Sequence, residues 1–335
     1  MFFALTEDQQ EFGAAVRGYL AERFDLAAVR GVVQDAVDDP GGGGNPATLW
    51  KAAGEQGWLA VTVPEEFEGL GLGLVEAQVI ARALGAGVAP GPWRGTVLAA
   101  EAIRLAGTDE QKATWLPRLA TGAAVGALAA DRALAAVEYG AIADVVVTTD
   151  GRLVTGASGT PRGSYDGTVR LADLTGGTVE ELAAAPEIRS RAAVLVAADL
   201  VGIAREALTR TVAYDRERRQ FGVPVGSFQS IKHTLADLHC TITMAEHATL
   251  YAAHAVEVGA EDAPLAVAVA KAKAGDAAVA STGAMIQYHG GIGYTWEHEA
   301  HFFYKRAKRL AGGHGDADAQ RERIAALTIL RPMNS

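Results

Sequence analysis

Three arginines stand within four positions of the sequence, at Arg216, Arg218 and Arg219. Each guanidinium stays protonated and offers a planar fork of N–H donors that matches two oxygens of a phosphate. A loop containing glycine and proline follows, and Ser227 is expected to cap the helix after it, which adds positive potential. The stretch therefore favours an anion site, with the solvated basic end of a helical hairpin as the competing interpretation.

A second stretch, QYHGGIGY at residues 287–294, closes another long apolar segment. Its paired glycines, Gly290 and Gly291, either cap a helix in a left-handed conformation or allow a backbone to approach a ligand closely. In this order, the two stretches resemble the C-terminal half of the acyl-CoA dehydrogenase family.

The resemblance implies an FAD site in which the two motifs have separate roles. In that family the RxxFG element reaches across a subunit interface to the FAD of its neighbour. The QxxGG element holds the pyrophosphate and ribose region of the same cofactor. The matching residues of this chain are Arg218, Gln220, Phe221, Gln229, Gln287, Gly290 and Gly291. No metal ligand is implied.

The catalytic base of the family is missing from both of its usual positions. Removing the α-proton of an acyl-CoA thioester requires a carboxylate or an equivalent base within hydrogen-bond reach. Most relatives carry a Glu-Gly pair after the last long helix, where this chain has His314 and Gly315. A minority place the Glu near the start of the helix that leads to the arginines, and the matching position here is Ala192.

Three explanations of the missing base remain open. His314 could accept the proton, since a neutral imidazole is a base near physiological pH. Asp316 or Asp318 could substitute, although both are better placed to cap a helix. Alternatively, a homologous partner subunit supplies the base, as in heteromeric α2β2 acyl-CoA dehydrogenases of actinobacteria.

The middle of the chain supports the heteromeric interpretation. The family carries a Gly-Ser-Asp signature and a tryptophan-bearing strand there, and these residues wrap the flavin ring. This chain has neither, and no tryptophan lies between Trp115 and Trp296. The resemblance therefore implies a subunit that binds the dinucleotide end of FAD while its partner holds the ring.

The resemblance and the residue patterns together predict a mainly α-helical, three-part chain. Residues 1–121 form an N-terminal helical domain, opened by a capping box at Thr6 and Gln9. Residues 122–187 are β-branched and broken by turns, which predicts a small, truncated β domain. Residues 188–335 form a C-terminal helical bundle, which in the family mediates tetramer formation.

One helix of this bundle ends in a basic run, Lys305, Arg306, Lys308 and Arg309. We expect the run to complement the helix dipole, with a contact to an acyl-CoA phosphate as the alternative.

Composition limits the partners. A formal net charge of −10 disfavours nucleic acid, whose phosphates would be repelled. The single cysteine, Cys240, cannot form an internal disulfide. The acidic start lacks the pattern of a secretory signal, and the most apolar run is interrupted by Asp199. The expectation is a cytoplasmic protein without membrane segments.

The predicted function is a flavoprotein subunit of a heterotetrameric acyl-CoA dehydrogenase in lipid metabolism. Its substrate would be an acyl-CoA thioester, with a steroid side-chain CoA as the suggested class. An electron-transfer flavoprotein-like acceptor would reoxidise it. A self-sufficient homotetramer that uses His314 as base and a non-catalytic scaffold are the alternatives.

Overall fold

The computed structural model describes residues 4–39, 44–130, 132–182 and 187–329. It confirms the mainly helical prediction. The predicted domain residues 330–335 lie outside the described ranges. The α-helices are α1 Glu7–Arg23, α2 Leu26–Asp38, α3 Ala47–Glu55, α4 Leu74–Ala86, α5 Trp93–Ala106, α6 Asp109–Thr121, α7 Glu187–Glu217, α8 Gln229–Glu257, α9 Ala263–His289, α10 Ala300–Gly312 and α11 Ala317–Thr328.

The strands between α6 and α7 build two small sheets. A four-stranded sheet has the order β1-β3-β4-β7, in which β1 and β3 are parallel and the other pairs are antiparallel. An antiparallel three-stranded sheet has the order β2-β6-β5. The strands are β1 Gly126–Ala129, β2 Val137–Glu138, β3 Val145–Thr148, β4 Arg152–Thr155, β5 Ser158–Arg162, β6 Leu171–Thr175 and β7 Thr178–Glu181.

The described chain packs as two compact units. One unit contains the residues up to 26, residues 81–88 and the chain from residue 193 onward. The other contains residues 27–80 and 89–192. Its buried sheet residues, including Ala127, Val146 and Leu174, form one apolar cluster. The domain boundaries near residues 121 and 187 remain a prediction.

Local sequence signals explain the helix starts. At α1 the Thr6 hydroxyl accepts from the backbone of Gln9 at 3.3 Å, and the Gln9 side chain accepts from the backbone of Thr6 at 3.0 Å. The predicted capping box is therefore confirmed. None of the helices in the described ranges is long and apolar enough to cross a membrane.

In the first unit, α4 and α7 cross at backbone contact. A Cβ atom on Gly85 would overlap the backbone carbonyl of Asp199, and one on Gly202 would overlap that of Arg82. Two glycines therefore let the helices approach more closely than any larger residue would allow. The crossing fixes the end of α4 against the middle of α7.

The charge of Asp199 is balanced by α10. The Arg306 guanidinium donates to both carboxylate oxygens of Asp199, at 2.7 and 3.2 Å, and both side chains are buried. The basic run was expected to complement the helix dipole, but α10 continues to Gly312, so Arg306 lies within the helix and pairs with Asp199 instead. The guanidinium of Arg306 is therefore already paired with a buried carboxylate, and the alternative contact of the basic run with an acyl-CoA phosphate stays a prediction.

Candidate functional site

The two sequence motifs meet through a pair of aromatic rings. Tyr214, at the start of the arginine stretch, stacks on His289, with ring centroids 4.4 Å apart and planes inclined by 23°. His289 is buried and directly precedes Gly290. The end of α7 and the end of α9 are therefore side by side, although 75 positions of sequence separate the two stacked residues.

Beyond α7 the chain forms a two-residue hairpin. The strands are β8 Arg219–Gln220 and β9 Val223–Pro224, and the backbone of Val225 donates to the carbonyl of Arg218 at 2.8 Å. The turn residues Phe221 and Gly222 have φ values of 54° and 82°. Such a turn suits the twist of a hairpin but is unusual for phenylalanine.

Phe221 is therefore held in a strained conformation at the tip of the hairpin. Its side chain is 92% exposed, and its ring edge meets Phe228 at a centroid distance of 6.3 Å. A strained, exposed aromatic residue is costly for an isolated chain. It is a candidate for burial by a cofactor or a partner.

The arginines of the hairpin differ in their contacts. Arg219 donates to the carbonyl of Gly222 at 3.3 Å. The exposed side chain of Arg218 makes no hydrogen bond or ion pair with any other described residue. Its guanidinium can therefore fork onto an incoming oxyanion without first breaking a contact.

Ser227 does not have the predicted capping role. The residue before α8 is Phe228, and the Ser227 hydroxyl instead donates to the carbonyl of Pro224 at 2.6 Å. Gln229 is the first residue of α8 and is exposed. The hydroxyl therefore tightens the loop instead of capping the helix.

The second motif presents an open glycine backbone. Gln287 is exposed on the last turn of α9, which Gly290 ends with a φ of 65°. Apart from the neighbouring backbone, no atom of the described residues lies within 4 Å of a Cβ built on Gly290 or on Gly291. The conformation of Gly290 disfavours other residues, and the open space allows a ligand to approach both glycines.

His289 is a neutral spacer between the motifs. Its Nδ1–H donates to the carbonyl of Met285 at 2.7 Å, and its ring also lies 4.6 Å from that of His298. Burial lowers the pKa of His289, and this effect exceeds the opposing influence of the Met285 hydrogen bond. The imidazole is therefore uncharged at neutral pH.

Asp215 lies under the hairpin loop and was not singled out by the sequence. Its side chain is 1% exposed, and neither carboxyl oxygen has a hydrogen-bond partner among the described residues. A Cβ on Gly226 would lie 3.3 Å from the Cβ of Asp215, so the loop packs directly on this residue. Burial raises the pKa of Asp215 to about 6. The only sequence signal was its place inside the arginine stretch, between Tyr214 and Arg216.

The turn that carries His314 is firmly held. His314 is exposed with a φ of 55°, and its carbonyl accepts from the side chain of Gln320 at 2.9 Å. The buried ammonium of Lys271 donates to the carbonyls of Ala311 and Gly315, at 3.0 and 3.1 Å. Burial lowers the pKa of Lys271 to about 8. These bonds clamp the turn on both sides of His314.

The remaining candidate acids have structural contacts. Asp316 caps α11, since its carboxylate accepts from the backbone of Ala319 at 2.9 Å. Asp318 pairs with Arg321 at 2.8 Å. Ala192 is a fully buried methyl side chain within α7. Positions 192 and 314, where the base was expected, carry no carboxylate in this chain.

Comparison with known families settles the identity of the fold. The family model described as "Acyl-CoA dehydrogenase, N-terminal domain" matches residues 6–123, and "Acyl-CoA dehydrogenase, C-terminal domain" matches residues 189–328. The chain belongs to the acyl-CoA dehydrogenase family.

Two relatives of this family extend over nearly the whole chain. The acyl-CoA dehydrogenase IpdE2 of Mycobacterium tuberculosis is 38% identical over 93% of this chain and 92% of its own length. IpdE2 of Mycolicibacterium smegmatis is 32% identical over 96% of this chain and 99% of its own length. A solved structure, the Tcur3481-Tcur3483 steroid ACAD G363A variant, is 28% identical. It superposes with a TM-score of 0.84 over 97% of this chain and 98% of that chain.

The exposed groups of the two motifs fit the diphosphate end of the FAD that acyl-CoA dehydrogenases use. A guanidinium that is unpaired among the described residues, an exposed amide and two open glycines offer donors and room for negatively charged oxygens. The stack of Tyr214 on His289 places these elements at adjacent helix ends of one chain.

Proposed function

We propose that this chain is the FAD-co-binding subunit of a heteromeric acyl-CoA dehydrogenase. It binds the dinucleotide end of the cofactor, while a homologous partner in an α2β2 assembly supplies the flavin-ring pocket and the catalytic base. The reaction is α,β-dehydrogenation of an acyl-CoA thioester. A steroid side-chain CoA is the proposed substrate class.

The contact between Tyr214 and His289 carries this proposal. It joins a hairpin bearing the unpaired Arg218 to a helix end bearing Gln287 and two open glycines. The stack keeps the exposed groups of both motifs side by side, as a ligand shared by them would require. At the same time, His314 and Ala192 occupy the family positions of the base. A chain that retains cofactor-binding groups but lacks the base is best explained as half of a composite site.

Exposed apolar residues around the motifs support a partner subunit. Phe221 and Tyr294 are 92% and 89% exposed, and Ile292, Trp296 and Val223 are 50%, 48% and 40% exposed. Aromatic residues are enriched at the centres of protein interfaces, where burial contributes most to affinity. A homologous subunit that covers this surface would also place its own FAD ring pocket beside the motifs.

The residues of this chain would bind and orient the cofactor. Bound FAD supplies the chemistry of accepting a hydride from the β-carbon of the thioester. Arg218 would pair with diphosphate oxygens, Gln287 would donate its amide, and Gly290 and Gly291 would allow close approach. The site would exclude water at the tip of the hairpin through the ring of Phe221.

The relatives agree with the proposed substrate class. The solved relative pairs Tcur3481 with Tcur3483 and is described as a steroid ACAD. We further propose an electron-transfer flavoprotein-like acceptor and a cytoplasmic role in steroid degradation. These assignments form part of the proposal.

Co-expression tests whether the flavin site is shared between two different subunits. The chain is produced alone and together with homologous acyl-CoA dehydrogenase subunits that carry the catalytic Glu, and bound flavin is measured by absorbance after gel filtration. We expect little flavin on the chain alone and about half a flavin per chain in a mixed tetramer. A yellow homotetramer that is bleached by an acyl-CoA would overturn the proposal.

The clamped turn at His314 favours one alternative, a self-sufficient enzyme with an imidazole base. In the mixed complex, His314→Gln is expected to leave the turnover number unchanged, because the base belongs to the partner. Substitution of the partner's carboxylate should abolish turnover. Loss of at least about a hundredfold in His314→Gln, with flavin content unchanged, would favour His314 as the base. A mixed complex without turnover on any acyl-CoA, whose partner is active by itself, would favour the scaffold.

A further inference from the structure

A cleft lies in the same unit, and none of the motif residues lines it. Its volume is about 340 Å³, and it is lined by α1, the end of α4 and the middle of α7. The floor is apolar and includes the buried side chains Leu20, Phe24 and Ala83. A volume of this size lies at the lower end of the range for small-molecule sites.

The rim of the cleft is charged. Arg17, Asp25, Glu206 and Arg210 line it. Arg210 donates to Glu206 at 2.7 Å, as expected for residues one helical turn apart. Arg17 is exposed and makes no ion pair or hydrogen bond with any other described residue.

A further arginine stands next to this rim and has no hydrogen-bonded partner among the described residues. Arg82 precedes Ala86 by one turn of α4, so both residues share a helix face, and Ala86 lines the cleft. The nearest counter-charge is Glu246, which already accepts from Arg205 at 2.7 and 3.0 Å. Arg82 therefore keeps unpaired N–H donors among the described residues.

The electrostatic surroundings of Arg82 favour an added anion. Burial lowers the pKa of its guanidinium, Glu246 raises it, and the nearby charges of Arg17 and Arg205 lower it further. The group nevertheless remains protonated at neutral pH. A single negative charge between Arg17 and Arg82 would relieve the repulsion between them.

We propose that this cleft binds a small amphipathic anion. The alkyl part lies on the apolar floor, and a carboxylate or phosphate head pairs with Arg17 and Arg82. Asp25 and Glu206 on the rim disfavour polyanions. The inference does not depend on the FAD site, because none of the motif residues lines the cleft.

Calorimetric titration of the full-length chain tests the proposal with defined probes. Octanoate and octyl phosphate, used below their micelle concentrations, carry the two candidate head groups. Octanol lacks the charge, and inorganic phosphate lacks the tail. We expect saturable binding of at least one octyl anion, with both controls weaker by about tenfold or more. The octyl anion that binds more tightly identifies the head group of the ligand as a carboxylate or a phosphate.

Matched variants locate the site. Arg82→Gln and Arg17→Gln should each weaken binding of the preferred probe by about tenfold, and Ala21→Trp should block the cleft from its exposed side. Arg23→Gln and Ala15→Trp change exposed residues of α1 that do not line the cleft, and they should bind as the parent does. Thermal melts verify that each variant is folded. Absence of saturable binding, equal binding of inorganic phosphate, or full binding by folded Ala21→Trp would overturn the proposal.

Discussion

Arg306 of α10 donates through two bonds to Asp199 of α7, and the side chains of the two residues are only 7% and 4% exposed. A paired charge in such surroundings is tolerated, whereas an unpaired one is strongly destabilising. The pair therefore ties the helix that leads to the arginine hairpin to the helix that leads to His314.

Removing one residue of the Asp199–Arg306 pair should destabilise the folded chain. Arg306→Met leaves the carboxylate of Asp199 buried and unpaired, and we expect a loss of about 3–5 kcal/mol in the free energy of unfolding. Chemical denaturation measures the change. The double variant Asp199→Asn with Arg306→Met should lose less than the sum of the two single losses, because no buried charge remains. Additive losses would mean that the two side chains do not interact.

Tyr214 should contribute to flavin retention through its ring and not through its hydroxyl. Tyr214→Leu removes the stack on His289, and we expect flavin affinity of the mixed complex to fall by about 1 kcal/mol. Tyr214→Phe keeps the ring and serves as the matched control. Fluorescence titration of the apoprotein with FAD gives both affinities. Equal affinity of the leucine and phenylalanine variants would show that the stack does not position the site.

Arg218 should contribute a charge-assisted bond to the diphosphate. Arg218→Gln is expected to weaken flavin binding by roughly 2 kcal/mol. Arg323→Gln, which alters an exposed arginine on α11, is the control for a general change in charge. The difference between the two variants should shrink at high salt because the contact is ionic. Unchanged flavin occupancy in Arg218→Gln would contradict the assignment of the site.

Asp215 should destabilise the chain at neutral pH. Its pKa is raised from the ordinary value of 3.8 to about 6, so the folded state binds more protons than the unfolded state between these values. The contribution to stability is fully present below pH 4 and is lost as the pH rises through 6, with a total of roughly 2–3 kcal/mol.

The variant Asp215→Asn removes this titration. We expect it to be more stable than the parent at pH 7.5 and to lose that advantage as the pH falls toward 4. Thermal melts across this range provide the comparison. Asp173→Asn changes an exposed carboxylate whose pKa is lowered, mainly by its bond to the backbone of Ala136, so its pH dependence should have the opposite sign. A constant difference between Asp215→Asn and the parent would refute the titration.

Local sequence patterns predicted the helices and strands better than they predicted the contacts between them. The capping box at Thr6 and the β-branched strands of the middle are encoded within a few neighbouring residues, and the structure contains both. The resemblance predicted the motif residues, whose roles remain a proposal. The stack of Tyr214 on His289 could not be read from the sequence, because it depends on how α7 and α9 pack.

The errors have the same origin. Ser227 has the residue type of a helix cap, but its hydroxyl is taken by the carbonyl of Pro224 in the tight loop. Arg306 has the position of a dipole-complementing cation, yet packing buries it against Asp199. Asp215 gave no periodic signal, since its burial results from the loop that folds over it. In each case a specific contact decided the outcome, within the loop for Ser227 and through tertiary packing for Arg306 and Asp215.

Lys271 gives the turn at His314 an unusual tolerance of alkaline solution. A lysine ammonium that releases one proton becomes an amine with two N–H donors. Lys271 donates to two carbonyls, so the neutral amine can keep both hydrogen bonds. The pKa of Lys271 is about 8, so at higher pH the amine is neutral and its burial no longer carries the cost of a buried charge. Both hydrogen bonds to the carbonyls persist. The segment should therefore hold its shape more securely in mild base than at neutrality.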